Sequence, residues 1–133
     1  YKLDSALNFG NPIIVDSRQG NIGGDPEGVA IYQTSSTSGY VVLSSQGDSK
    51  YNIYNREAPY EYINSFRIGP SMYGLIDGAS DTDGVAISSN KLNIDFPQGL
   101  LVVQDGYNKD KGIDKNQNFK YVSFRDVLKK LQL

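Results

Sequence analysis

The chain has 133 residues, 38% of them hydrophobic, and carries 13 basic against 15 acidic side chains for a net charge of -2. It lacks the basic excess that drives non-specific nucleic-acid binding, and with no cysteine and no histidine it has no disulfide, no Ser-His nucleophile and no imidazole metal ligand. Any metal here is held by oxygen, and no apolar run approaches the roughly 18 residues of a membrane span, so neither nucleic acid nor membrane is expected as a partner.

In chain order the sequence predicts short strands at Pro12 to Val15, Gly28 to Gln33, Tyr40 to Ser45, Tyr51 to Asn55, Glu61 to Ile68, Gly84 to Ser88, Gly99 to Gln104 and Phe119 to Val122. Ser35 to Gly39 and the stretch opening at Ser45 read as hairpin connections of an antiparallel meander. Tyr107 to Lys115 reads as a polar loop. Phe124, Val127, Leu128 and Leu131 recur at helical spacing, with Ser123 as N-cap and Asp126 near the positive end of the helix, so a short amphipathic helix is expected over about 124–132.

An internal repeat organises these elements. Asp25-Pro-Glu27-Gly28-Val-Ala-Ile31 matches Asp81-Thr-Asp83-Gly84-Val-Ala-Ile87, 56 residues apart from Asp25 to Asp81. Each copy is followed by an apolar strand ending in Gln, at Gln46 and Gln104. A period near fifty residues suits radially repeated four-stranded antiparallel sheets, and the expectation is an all-β fold of β-propeller blades. The chain holds the end of one blade, a full blade at about 25–68, a last blade at about 81–122, and the helix. A complete propeller needs at least four blades of about forty residues, so the ring is expected to be completed from elsewhere. The second unit shows three strands rather than four. A fourth is expected from an N-terminal portion of a longer protein or from another chain, since borrowing a strand removes an exposed edge. The start at Tyr1, without an initiating Met, fits a processed or excised segment.

The chemistry concentrates in turns. Asp25, Glu27, Asp77, Asp81, Asp83 and Asp105 sit beside or close to glycine at predicted strand ends, where clustered carboxylates repel unless a cation compensates. Calcium is the natural candidate, because it takes six to eight oxygens from carboxylates, backbone carbonyls and amide oxygens such as those of Gln46, Gln104 or Asn108. An EF-hand is excluded, because Val85 and Tyr107 stand where that loop requires oxygen ligands. Acid-Gly pairs are also ordinary turn formers, and it is their repetition that points to metal. The ten tyrosines, including Tyr51, Tyr54, Tyr60 and Tyr62, fit strand faces and cross-strand pairs, and Arg56 and Arg67 read as surface residues.

Five pieces occur in order: Asp25-x-Glu27-Gly; Gly39-Tyr-Val-Val-Leu-Ser-Ser-Gln-Gly-Asp-Ser-x-Tyr51-x-Ile-Tyr54; Ser80-Asp-Thr-Asp-Gly84; Phe96-Pro-x-Gly-Leu-x-Val-x-Gln-Asp-Gly106; and Asn116-Gln-Asn-Phe-Lys-Tyr-Val122. Together they resemble the C-terminal part of the β-propeller phytases, from about Val15 to Leu128. The resemblance implies a six-bladed propeller with calcium ions at one end of its channel that hydrolyses phytate, the hexaphosphate of myo-inositol, or other inositol phosphates. It implies that Asp25 and Glu27 are the acidic pair of the catalytic calcium cluster, that Gln46, Asp77 and Asp83 are calcium ligands, and that Asp105 and Asn108 lie in a related metal turn. Tyr107 departs from the family pattern, which carries an acid there. The basic residues completing the family's phosphate site belong to earlier blades, and a secreted or periplasmic location is likewise implied only by the resemblance. The alternative function is a non-catalytic, calcium-stabilised propeller that binds a glycan or another protein.

Overall fold

The computed structural model describes residues 10–133. Strands β1 (Pro26–Gln33), β2 (Gly39–Ser45), β3 (Lys50–Asn55) and β4 (Tyr62–Phe66) form one antiparallel meander in the order β1-β2-β3-β4. Strands β5 (Val85–Ser88) and β6 (Leu100–Asp105) join β9 (Asn118–Ser123) in a second, three-stranded antiparallel sheet, β5-β6-β9. The two sheets coincide with the two copies of the repeat, and β1 lies alongside β5. The helix α1 (Phe124–Leu131) follows β9 without a linker.

Three details differ from the sequence reading. Pro12 to Val15 forms no strand, because among the described residues no partner strand lies beside it. The loop after β6 folds into a small hairpin, β7 (Lys109–Asp110) with β8 (Ile113–Asp114), closed through Lys111 and Gly112 at φ 51° and 79°. Such a turn needs positive φ at both central residues, and glycine supplies only one of them cheaply. Ser123 takes the N-cap position in extended conformation, but its hydroxyl makes no cap hydrogen bond and is buried without a partner among the described residues.

Period-2 alternation decides what each face buries. Tyr32, Val42, Tyr51 and Ile53 of the first sheet pack on Leu101 and Val103 of the second, and Phe124 and Val127 close one end of this core. The ring of Phe124 stacks on Tyr32 with centroids 4.0 Å apart, while the Tyr32 hydroxyl donates to the carbonyl of Gln98 at 2.9 Å. Glycine is required where β1 meets β5, because a Cβ on Gly28 would lie 2.8 Å from the backbone nitrogen of Val85. The two outer faces are also apolar. Val29 and Ile31 are exposed on one side, with Val41 and Leu43 half-buried beside them, and Phe119 and Tyr121 are exposed on the other.

Antiparallel pairing sends the start of β1, the end of β2, the start of β5, the end of β6 and the start of β9 to the same end of the two sheets. The helix occupies the opposite end, where Phe124 follows Ser123, the partner of Leu100. One end is therefore a polar rim and the other an apolar cap.

Candidate functional site

The rim is built by a bulge. The β1-β2 register runs Pro26 opposite Ser45 and Val29 opposite Leu43, so Glu27 and Gly28 together face Ser44 alone. The displaced Gly28 amide donates to the buried Ser44 hydroxyl at 2.8 Å rather than to the ladder. Bulges re-aim side chains next to functional sites, and this one leaves Asp25 and Glu27 exposed at the strand entrance. Arg18 donates to the Asp25 carboxylate, both side chains being more than half exposed.

Gln46 joins the two copies of the repeat. Its backbone amide donates to the Asp25 carbonyl at 2.9 Å, and its side-chain amide donates to the Asp83 carboxylate in the other sheet. The amide of Asp83 in turn donates to Gln104 Oε1 at 2.9 Å. Asp25, Glu27, Gln46 and Asp83 are thereby brought to one stretch of rim. Their donors are hard oxygens, the kind calcium takes, but they fall short of six to eight ligands. Among the described residues no three acidic side chains are close enough to hold an ion by themselves. A calcium ion held by these four would need further ligands from outside them.

Asp77, Asp105 and Asn108 form a second group, gathered on Lys120. The Lys120 side chain is 7% exposed, and its ammonium donates to Asp77 Oδ1, donates to Asn108 Oδ1 at 2.8 Å and lies 3.2 Å from Asp105 Oδ2. Asp105 is fully buried, and its Oδ1 accepts from the Ser80 amide at 3.0 Å. Asp77 Oδ2 accepts from the Lys109 amide at 2.5 Å, and Asn108 is further held by Asn116 and Asn118. Burial pushes the Asp77 carboxyl up, but the Lys120 bond, the Lys109 amide and the lysine charge outweigh it and hold it below the ordinary range. Burial likewise pulls the Lys120 ammonium down, and its two carboxylate partners more than compensate, so it stays charged above its ordinary range.

Lys120 escaped the sequence reading. In Asn118-Phe-Lys-Tyr-Val122 the alternation places Phe119 and Tyr121 on one face and Lys120 on the other, and the apolar face is the natural choice for the interior. The structure inverts this, exposing both aromatics and burying the lysine. A lysine on an alternating strand two residues after a run of three amide side chains, Asn116 to Asn118, is the one signal available for a buried polar node. Arg67 is a surface residue as expected, with its guanidinium on the Asp48 carbonyl at 3.1 Å, and the tyrosines pair across strands, Tyr54 with Tyr62 and Tyr51 with Phe66.

A family model described as Phytase matches residues 9–132. A curated 3-phytase of Bacillus subtilis (strain 168) is 39% identical over 119 residues, which cover 89% of this chain and 31% of that protein. The chain thus spans about a third of the length of the curated relative it matches. The match runs through the bulge, both groups of acids and the helix, and on it the chain belongs to the phytase family.

Proposed function

We propose that this chain is a two-blade section of a β-propeller which, completed by blades from an N-terminal portion, hydrolyses phosphate monoesters of phytate and other inositol phosphates in a calcium-dependent reaction. The observation that carries the proposal is the family match over 9–132 together with Asp25, Glu27, Gln46 and Asp83 meeting on one rim. The propeller reading is supported by the parallel placement of the two repeat strands β1 and β5 and by the apolar outer face on each sheet, which neighbouring blades would cover. Among the described residues the outer edge of β9 is open, and with the groove of about 790 Å³ between the 66–77 segment and β9 it suits a fourth strand. A secreted or periplasmic setting goes with the family reading, and among the described residues no helix is long and apolar enough to cross a membrane.

Calcium, when bound, supplies neutralisation of phosphate charge and acidification of a water for in-line attack on phosphorus. The chain's own residues prepare the place. The bulge holds the Asp25 and Glu27 carboxylates out of the ladder, and Gln46 fixes Asp83 from the neighbouring sheet, so orientation is set before substrate arrives. Asp25 and Glu27 are the residues assigned to the catalytic cluster. With positioning and charge neutralisation providing the rate, no covalent phosphoenzyme is needed.

The test is phosphate release from phytate by the completed protein, with and without excess chelator, alongside its native mass. Calcium-dependent release at the mass of a complete propeller is the expected result. Full release in chelator overturns the proposal, and calcium binding without release in any assembly favours a non-catalytic, calcium-stabilised propeller.

A further inference from the structure

We propose that the Asp77, Asp105 and Asn108 group is a metal-free node in which the Lys120 ammonium occupies the place a cation would otherwise take. The inference goes beyond the activity proposed above and stands whatever the Asp25 and Asp83 rim binds.

Three observations converge. The ammonium reaches all three side chains, donating to Asp77 Oδ1, donating to Asn108 Oδ1 at 2.8 Å and lying 3.2 Å from Asp105 Oδ2. Asp105 is completely buried and its Oδ2 has no hydrogen-bond donor, so the ammonium is its compensating charge, and an isolated carboxylate at such a depth would be far too costly. Three further donors hold the group: Ser80 donates to Asp105 Oδ1, Lys109 to Asp77 Oδ2 and Asn118 to Asn108 Oδ1. A divalent ion entering here would have either to expel a lysine that is 7% exposed or to leave that lysine's charge buried beside it. The residue types match a calcium shell, but the Lys120 ammonium already lies among them and faces both carboxylates.

The node ties three segments together: the loop before β5 through Asp77, the end of β6 through Asp105 and the first turn of the hairpin through Asn108. It does for this end of the second sheet what a structural ion would do, with a cation that cannot be chelated.

The test counts calcium ions by native mass spectrometry in the whole protein and in its Asp77→Asn variant at saturating calcium. The count is expected to be the same in both, whereas loss of one ion in the variant overturns the proposal. A second measurement needs no variant. The Lys120 ammonium, shielded from exchange by its oxygen partners, is expected to give a slowly exchanging NMR signal that keeps its position when calcium is added. Its disappearance or displacement by calcium overturns the proposal even if Asp77→Asn fails to fold.

Discussion

The hydroxyl of Tyr51 in the first sheet lies 2.5 Å from Thr82 Oγ1 in the segment entering the second, and both residues are buried. The bond sits just beneath the acidic rim and sets the distance between the two copies of the repeat. Tyr51→Phe is expected to cost about 1–3 kcal/mol, because it leaves the threonine hydroxyl buried without its partner. Thr82→Val is expected to cost a similar amount, and a double-mutant cycle by urea unfolding should show coupling of about 1 kcal/mol or more.

Phe124 is fully buried and stacks on Tyr32, so the helix is anchored to the first sheet although it follows the second. Phe124→Ala is expected to destabilise the protein by about 3–5 kcal/mol. The check is the thermal midpoint, with loss of the aromatic near-UV signal of the Tyr32 environment at temperatures where the native protein retains it.

Gly28 and Gly84 occupy equivalent positions in the repeat but meet different surroundings. A Cβ on Gly28 would collide with Val85, while around Gly84 none of the described residues lies within 4 Å of such a Cβ. Gly28→Ala is expected to cost about 1–3 kcal/mol, from overpacking at the junction of β1 and β5. Gly84→Ala is expected to stay within about 0.5 kcal/mol in this chain alone, where the position is open. In the completed ring a further blade would cover Gly84, and there the cost should approach that at Gly28. Chemical unfolding of both variants in both forms decides it.

Asp16 provides an acid-sensitive clamp on the entering segment. Its carboxylate accepts from the Ser17 and Asn21 amides at 2.7 and 2.9 Å, from the Asn21 side chain at 3.0 Å and from the Tyr54 hydroxyl at 2.7 Å. Burial pushes its carboxyl up, but these bonds prevail and hold it below the ordinary range. A depressed folded value means the stabilisation is present above the unfolded aspartate value of about 3.9 and is lost as pH falls below it. The alkaline limb has the opposite origin. Burial raises Tyr51 to about 12, opposed by its Thr82 bond and assisted by the charge of Asp105, and burial and the Asp16 carboxylate raise Tyr54 as well. Raised folded values mean that stabilisation is complete below the unfolded tyrosine value of about 10 and is lost as pH climbs through the folded ones. Urea midpoints should therefore fall at both extremes, and Asp16→Asn should flatten the acid limb and reduce the Tyr54 share of the alkaline limb while leaving the Tyr51 share in place.

In the completed protein, Glu27→Gln keeps the size of the side chain and removes its charge. Phosphate release is expected to fall about a hundredfold, the scale on which a single electrostatic contributor to a transition state acts. Asp77→Asn, in the lysine node, is expected to lower the thermal midpoint more than it lowers release. Equal losses of activity from the two variants would contradict the separation of rim from node.

Much of this architecture was legible in the residues themselves. Seven strands, the helix and the duplicated Asp25 and Asp81 turns follow from periodicity and turn chemistry, because apolar alternation and glycine placement are local signals. The helix cap was legible only in position: Ser123 stands where a cap belongs, but packing turned its hydroxyl inward. The strand read at Pro12 to Val15 had the right residues and lacks a partner among the described residues, because pairing is not local.

By itself, then, the sequence determined the all-β class, the two-unit repeat and the family, along with the oxygen-only chemistry that the absence of histidine and cysteine imposes. Only the tertiary structure decided which acids meet. The bulge at Glu27 and Gly28 and the Gln46 bridge join Asp25 to Asp83 across two sheets, whereas Asp77, Asp105 and Asn108 close on a buried lysine. The physical reason is that alternation specifies two faces of a strand but not which one is covered, and in β9 the covered face is the one that carries Lys120.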